Sequence, residues 1–312
     1  MSDSPRYGVF KFGGSSLRDA DRIRRAVDLV AREDDGMQKI VVASAMGGVT
    51  DALLESARVA LGRTDDFRGH MARLRTRHEM TLRELALPHE FDAISAELGV
   101  QFDLVSDLLE GIYLLRECTP RALDSIAGAG ERLSIPLVAA AFRAAGYAAS
   151  EVDSALLVRT DDGFGEAAVD FEVTNAQVQA HFAGVSKSEV SVVTGFRAST
   201  DAGVTTTLGR SGSDYTATIL AGALGAERII IWTDVDGVLT ADPRLVPEAR
   251  PMRELHFAEA AELAYFGAKV LHPRTMRPLA ERGLPLLIKN TFNPDDPGTR
   301  ITTTALPEGE AV

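Results

Sequence analysis

The segment Leu208-Gly209-Arg210-Ser211-Gly212-Ser213-Asp214 places one cation, two hydroxyls, two glycines and one carboxylate directly before an apolar run. A polar glycine loop that opens a helix presents unpaired N–H groups and a positive dipole end to an anion. Arg210 has the planar fork that suits a carboxylate. On pattern alone, Asp214 could be only an N-cap. Lys11 precedes Phe12-Gly13-Gly14-Ser15-Ser16, and Lys269 stands two residues after Gly267. Both stand out because only five of the 33 cations are lysines. Near the end of a buried strand, Lys11 either neutralises charge on a transferring phosphoryl group or points to water from a sheet edge. Glu131 and Arg132 are either site residues or a surface ion pair. Thr233-Asp234 is either a ligand contact or the start of a turn closed by Asp236-Gly237.

These residues need strands and helices to bring them together. Tyr7–Phe12 reads as a strand, followed by a glycine turn and a helix from about Asp19 with Ile23, Ala26, Val27, Val30 and Ala31 on one face. The β-branched run Lys39–Ser44 repeats the pattern, with Met46-Gly47-Gly48-Val49-Thr50 as its turn. Strand, glycine loop and helix in alternation predict a parallel sheet with helices on its faces. Residues 64–120 predict an inserted helical hairpin with Met71, Leu74, Met80 and Leu82 in its core; His70, His78 and His89 receive no role. Gly130 is expected to open a helix ending at Gly146, and Thr174 to cap a helix reaching Phe182. Tyr147–Asp153, Ser191–Thr194, Arg228–Trp232 and Leu286–Lys289 read as further strands, the last as the final interior one. Helices are expected over Tyr215–Leu224, Phe257–Tyr265 and Pro273–Arg282. The loops after Phe12, Ser44, Leu208 and Trp232 are then candidates to meet around one anionic ligand. No Walker A or Gly-x-Gly-x-x-Gly pattern follows a strand.

The composition narrows the function classes. The chain has 312 residues, 45% hydrophobic, with a net charge of −12. The acidic balance argues against a nucleic-acid surface, yet a few local cations can still dominate a cleft. No apolar run is long enough for a membrane span, and no signal-peptide layout opens the chain. Cys118 is alone, which excludes an intrachain disulfide framework and a Cys-based zinc site, and a reducing, cytoplasmic setting is expected.

Several segments in register resemble the aspartokinases. Lys11-Phe12-Gly13-Gly14-Ser15-Ser16 is similar to their N-terminal signature. Gly130-Glu131-Arg132-Leu133-Ser134, Leu208–Asp214, Thr233–Gly237, Gly267-Ala268-Lys269-Val270-Leu271-His272-Pro273 and Asn290–Pro294 follow in the family's order and spacing. The segments from Leu208 to Pro273 look closest to the aspartokinase parts of bifunctional enzymes. The resemblance implies the amino-acid-kinase fold: a three-layer αβα sandwich with a mainly parallel, eight-stranded central sheet. It implies a catalytic domain over 1–304. Residues of about 1–190 would bind the amino acid, with the insertion at 64–120. Residues of about 191–304 would bind the nucleotide, and 305–312 would form a polar tail. The implied reaction transfers the γ-phosphoryl group of ATP to the β-carboxylate of L-aspartate, the first step towards lysine, threonine and methionine.

By the same resemblance, Lys11 contacts the phosphates together with Gly13, Gly14 and Ser15. Ser44, Thr50 and Ser213 contact aspartate, Glu131 its amino group and Arg210 its α-carboxylate. Asp214 orders the cluster, and Thr233, Asp234, Arg244, Lys269 and Val270 line the nucleotide side. Mg²⁺ is expected on the ATP phosphates without a protein carboxylate cage, and a homodimer is expected. Ser211 stands where Gly or Asn is usual, and Leu239 where Tyr is usual. The regulatory ACT domains that usually follow in aspartokinases are absent after Ile301, so no built-in feedback control is expected. Two other readings stand beside this one: a related amino-acid kinase with another acceptor, and an ATP-binding regulatory or scaffold subunit with little turnover.

Overall fold

Alternating β-branched runs and helical patterns assemble around one central sheet in the computed structural model, which describes residues 5–33, 36–241, 246, 248–265 and 271–304. The first half comprises β1 (Tyr7–Phe12), α1 (Ala20–Arg32), β2 (Gln38–Ala43), α2 (Val49–Leu61), α3 (Asp66–Leu85), α4 (Phe91–Leu115), α5 (Pro120–Ala144) and β3 (Ala149–Val152). There follow α6 (Phe171–Ala183), β4 (Val190–Thr194), β5 (Arg197–Ser199), β6 (Thr205–Thr207), α7 (Gly212–Leu224) and β7 (Arg228–Thr233). The chain continues through β8 (Glu254–His256), α8 (Phe257–Tyr265), α9 (Pro273–Ala280), β9 (Leu286–Asn290) and β10 (Thr299–Thr302).

Eight strands form the sheet in the order β3-β4-β2-β1-β7-β9-β10-β8. Pairing is parallel from β3 through β9, antiparallel between β9 and β10, and parallel again between β10 and β8. Strands β5 and β6 form a separate hairpin. The central strands are buried on both faces, so they read as near-continuous apolar runs. Alternation along them still sorts side chains to two cores. Phe10, Phe12, Val41 and Trp232 pack with α1 to α5, whereas Val9, Ile40, Val42 and Ile231 pack with α6 to α9. This is the expected three-layer αβα sandwich. Lys11 shares the phase of Tyr7 and Val9, so it points to the layer that contains α7.

Helices α3 and α4 form the expected hairpin, and α3 buries Met71, Leu74 and Leu82. Met80 is 61% exposed. It lies about 240° around the helix from Leu74, off the stripe that Met71, Leu74, His78 and Leu85 share. His78 is a core histidine: burial pushes its pKa down to about 4, and its ring meets Phe102 edge-on. The helix predicted to open at Gly130 starts at Pro120, where Thr119 accepts a hydrogen bond from the Ala122 N–H and proline occupies the first helical position. Glu131 therefore sits in mid-helix. Asp170, not Thr174, caps α6; the Thr174 hydroxyl is buried and accepts from the Arg159 N–H. Strand β9 is not the final one, because β10 turns back against it at Gly298.

Candidate functional site

The loops after β1, β2, β4 and β7 all leave the same end of the sheet, because those strands run parallel. A cleft of about 320 Å³ opens there, lined by residues from the β1, β2 and β4 loops, from α5 and from the start of α7. After β1 the chain turns through a single 3₁₀ turn, Gly14–Leu17, pinned by a buried 2.7 Å hydrogen bond between the Ser16 and Thr291 hydroxyls. After β2, Gly48 takes φ 81° and opens α2. The two turns press together: a Cβ on Gly47 would lie 2.9 Å from the Gly14 carbonyl oxygen, so a side chain there would force them apart.

Lys11 Nζ lies 2.6 Å from Asp214 Oδ1, with both side chains about nine-tenths buried. Asp214 stands in the first turn of α7, where the helix dipole also favours a negative charge. The pair fixes the ammonium at the floor of the cleft. Glu131 projects from α5 and lines the same cleft. Its Oε1 accepts a 3.2 Å hydrogen bond from the Ala45 N–H, and its Oε2 is buried without a partner. Burial raises its pKa to about 8, against the opposing effects of the Ala45 bond, Arg197 and Lys11. Glu131 lines the cleft, and a buried carboxylate oxygen without a donor favours a cationic partner. Gly130 lets the helix approach this closely, since a Cβ there would stand 2.8 Å from that of Ala45.

The loop before α7 is held by non-local contacts. Buried Asp124 accepts from the Gly165 N–H, the Thr207 N–H and the Thr207 hydroxyl, which fixes the end of β6. Asp153 accepts from Arg197 through both oxygens at 3.0 and 3.2 Å. Burial alone would raise its pKa, but Arg197 and the local hydrogen bonds hold it below the ordinary value. Arg132 lies 3.5 Å from Asp153, so it pairs there and not with Glu131. Phe196 and Ser211 both take left-handed backbone angles, φ 65° and 56°. Gly195 and Gly212 make this possible, because a Cβ on either would meet Ser213 or Phe196 at 2.4 Å.

The left-handed angle at Ser211 explains why Gly or Asn suits that position: a Cβ costs about 1–2 kcal/mol there. We expect Ser211→Gly to unfold in urea at no lower stability than the parent. Ser211→Val should be less stable than Ser211→Gly by at least about 1 kcal/mol. Equal midpoints would show that the loop relaxes freely.

Of the residues singled out in the sequence, Lys11, Gly14, Ser44, Thr50, Glu131, Ser213 and Asp214 line this one cleft. Arg210 does not; it is exposed at the mouth, between Gly209 and Ser211, which do line it. Gly13 lies beside Lys11, its direction of side-chain growth 3.4 Å from Nζ. Ser15 and Asp234 line a neighbouring cleft instead. Thr233 ends β7, where its carbonyl accepts from the Thr291 N–H. Asp236 is the carboxylate that organises the following turn, accepting from Asn290 and Asn293. Arg244, Lys269 and Val270 lie outside the described residues. Phe196, Gly48 and Asp51 also line the cleft without having been singled out as contacts. The strand pattern Ser191–Thr194, which runs directly into Gly195, is the local sequence feature nearest Phe196.

A profile of the amino acid kinase family matches residues 7–290. The bifunctional aspartokinase/homoserine dehydrogenase of Haemophilus influenzae is 38% identical over 94% of this chain and 36% of its own length. Aspartokinase 1 of Arabidopsis thaliana, a chloroplastic protein, is 37% identical over 95% of this chain and 52% of its own. The chain thus spans about a third to a half of these relatives. The crystal structure of Escherichia coli aspartokinase III with aspartate and ADP superposes with a TM-score of 0.89 at 34% identity, covering 96% of this chain and 65% of that one. Isopentenyl phosphate kinase, at 17% identity and a TM-score of 0.54, shares the fold. The match along 7–290 and the glycine loops gathered at one end of a parallel sheet agree: the chain belongs to the amino acid kinase family.

Proposed function

We propose that the protein is an aspartate kinase, transferring the γ-phosphoryl group of ATP to the β-carboxylate of L-aspartate to give 4-phospho-L-aspartate and ADP. The observation that carries this reading is a buried ammonium, Lys11, and a carboxyl with an unpartnered oxygen, Glu131, lining one small polar cleft. An amino acid presents an ammonium for Glu131, and a phosphoryl group presents negative charge for Lys11. The relatives named aspartokinase, and the aspartate and ADP held by the Escherichia coli structure, support aspartate as acceptor.

The acceptor carboxylate is already ionised, so the step needs alignment and charge neutralisation more than a strong base. A carboxylate oxygen attacks the γ-phosphorus while the bond to the β,γ-bridging oxygen breaks and its electron pair leaves with ADP. Lys11 offsets the negative charge in transit, and Asp214 holds its Nζ in place. Glu131 takes the substrate ammonium, with Ser44, Thr50 and Ser213 as polar contacts. Arg210 takes the α-carboxylate by swinging in from the mouth of the cleft. Gly13, Gly14 and Ser15 bring N–H groups towards the phosphates, while Thr233, Asp234, Arg244, Lys269 and Val270 serve the nucleotide side.

Among the described residues no cluster of three or more His, Cys, Asp or Glu side chains is arranged to hold a metal. A Mg²⁺ ion carried by the nucleotide would be held by phosphates and waters. None of the described helices is long and apolar enough to cross a membrane. A place in lysine, threonine and methionine synthesis, a cytoplasmic setting and a homodimer belong to the same reading.

Hydroxylamine traps an acyl phosphate as a hydroxamate. We expect hydroxamate formation and ADP release that both require Mg-ATP and L-aspartate. Glutamate, N-acetylglutamate and UMP should give at most a few per cent of that rate. Well-folded protein without aspartate-dependent product would sink the assignment.

A further inference from the structure

The β5–β6 hairpin carries cleft residues at both ends: Phe196 directly before β5, and the loop from Gly209 to Asp214 just after β6. One face of α5 holds this hairpin through residues at i, i+4 and i+7. Asp124 anchors β6 at Thr207. Gly128 leaves room for the Arg197 side chain of β5, since a Cβ there would meet its Nη1 at 3.0 Å and its Cγ at 3.1 Å. Glu131 follows one turn on and lines the cleft.

Arg197 is tied down through both main chain and side chain. Its N–H donates to the Gly195 carbonyl at 2.6 Å, which closes a three-residue turn around Phe196. Phe196 stands at the centre of that turn with φ 65°, a conformation that a bulky residue keeps only when its surroundings fix it. The Arg197 carbonyl accepts from the buried Ser154 hydroxyl at 2.7 Å. Its guanidinium, about nine-tenths buried, donates to both oxygens of Asp153. An apolar side chain would fill the same space without desolvating a cation. The charge therefore asks for a second role, and Glu131 supplies one. Burial is the largest influence on the Glu131 carboxyl and raises its pKa; of the two cations that oppose it, Arg197 acts more strongly than Lys11. The other charges at the cleft are Asp214, paired with Lys11, and exposed Asp51. Arg132, next to Glu131 in the chain, is drawn to Asp153.

We infer that Arg197 is a positioning residue for the acceptor site: fixed by Asp153, it holds the Phe196 turn against α5 and keeps a positive charge one helical turn from Glu131. The ammonium that Glu131 receives rests on the aspartate kinase reading, whereas the hairpin geometry does not. A fixed cation near a buried carboxyl favours its ionised form, the form a substrate ammonium binds. The same contact keeps Phe196 at the cleft wall.

Arg197→Met keeps the side-chain stem and removes the charge; Arg197→Lys keeps a charge and loses the fork. At pH 7, Arg197→Met should raise the KM for L-aspartate roughly tenfold and leave the KM for ATP within about twofold, and Arg197→Lys should recover most of the loss. Infrared titration of the carboxyl band that Glu131→Gln removes should place its midpoint about one pH unit higher in Arg197→Met than in the parent. Asp153→Asn/Arg197→Met separates fold from site: neutralising the carboxylate that loses its closest partner should restore stability in urea but not the KM. A parental KM in the double variant, or an unmoved carboxyl midpoint in Arg197→Met, overturns the inference. If the parent shows no aspartate-dependent turnover, the kinase reading fails, and the carboxyl midpoint still decides the role of Arg197.

Discussion

Lys11→Met should abolish aspartate-dependent turnover, lowering kcat by roughly 10³-fold, and should also destabilise the protein by about 3 kcal/mol. The two losses have different causes. Turnover fails because the ammonium that offsets phosphoryl charge is gone. Stability falls because Asp214, about nine-tenths buried, loses its partner at 2.6 Å and remains charged in a low-dielectric setting. A loss of activity in the single variant is therefore ambiguous by itself. Pairing it with Asp214→Asn separates the causes. Lys11→Met/Asp214→Asn replaces the ion pair with neutral groups of similar size, and most of the lost stability should return in urea unfolding. Turnover should stay at the level of the single variant. A double variant that recovers activity with stability would show that Lys11 acts only by holding the fold. A single variant with near-parental kcat would remove Lys11 from the chemistry altogether.

Much of this arrangement was legible from residue type and spacing. The strand–glycine–helix units predicted the parallel sheet because continuous apolar, β-branched runs and glycine turns are local signals. Lys11 was legible because a lysine in a run of buried residues must find a counter-charge or reach water. Asp214 had two open readings, and the fold chose the partner over the cap: Ser211 occupies the capping position, leaving Asp214 inside the first turn.

What escaped the sequence depended on contacts between distant residues. Gly130 looked like helix punctuation, yet it is a close-packing point in mid-helix, set by Ala45 some eighty residues away. The ion pair of Arg197 with Asp153 spans 44 residues, and neither residue carried a local sign of it. Strands β8 and β10 are three and four residues long, too short for alternation to declare them. Arg210 was expected to clamp a carboxylate and instead lies at the mouth without an ion pair among the described residues. A long, exposed side chain has no local determinant of direction, so its placement awaits the ligand. The left-handed angle at Phe196 had no direct signal, because bulky residues rarely adopt it.

Glu131→Gln should weaken L-aspartate binding by roughly 10²-fold, yet make the ligand-free protein more stable at alkaline pH. Both effects follow from one buried carboxyl whose pKa burial raises from 4.5 to about 8. In the ligand-free protein at pH 7 this group is mostly protonated. A substrate ammonium binds the ionised form, so binding at pH 7 expels close to one proton. Affinity for aspartate should therefore rise by up to about tenfold per pH unit as pH climbs towards 8, then level off. The calorimetric enthalpy should track the ionisation enthalpy of the buffer in the parent and not in Glu131→Gln.

The stability effect has the opposite dependence. A carboxyl whose folded pKa lies above its unfolded value holds a proton in the folded state that the unfolded chain has already lost. Stability therefore declines as pH rises from about 4.5 to about 8 and changes no further above that. Glutamine carries no such penalty, so the advantage of Glu131→Gln should be near zero at pH 4.5 and reach the order of a few kcal/mol by pH 9. Urea midpoints at pH 5, 7 and 9 measure it. A difference that does not change with pH would mean that water reaches Oε2 and that the carboxyl titrates normally. With such a result the proton linkage of aspartate binding should vanish as well, because both rest on the same buried oxygen. Agreement between the two experiments would show that the site gives up stability to keep a carboxylate ready for an ammonium.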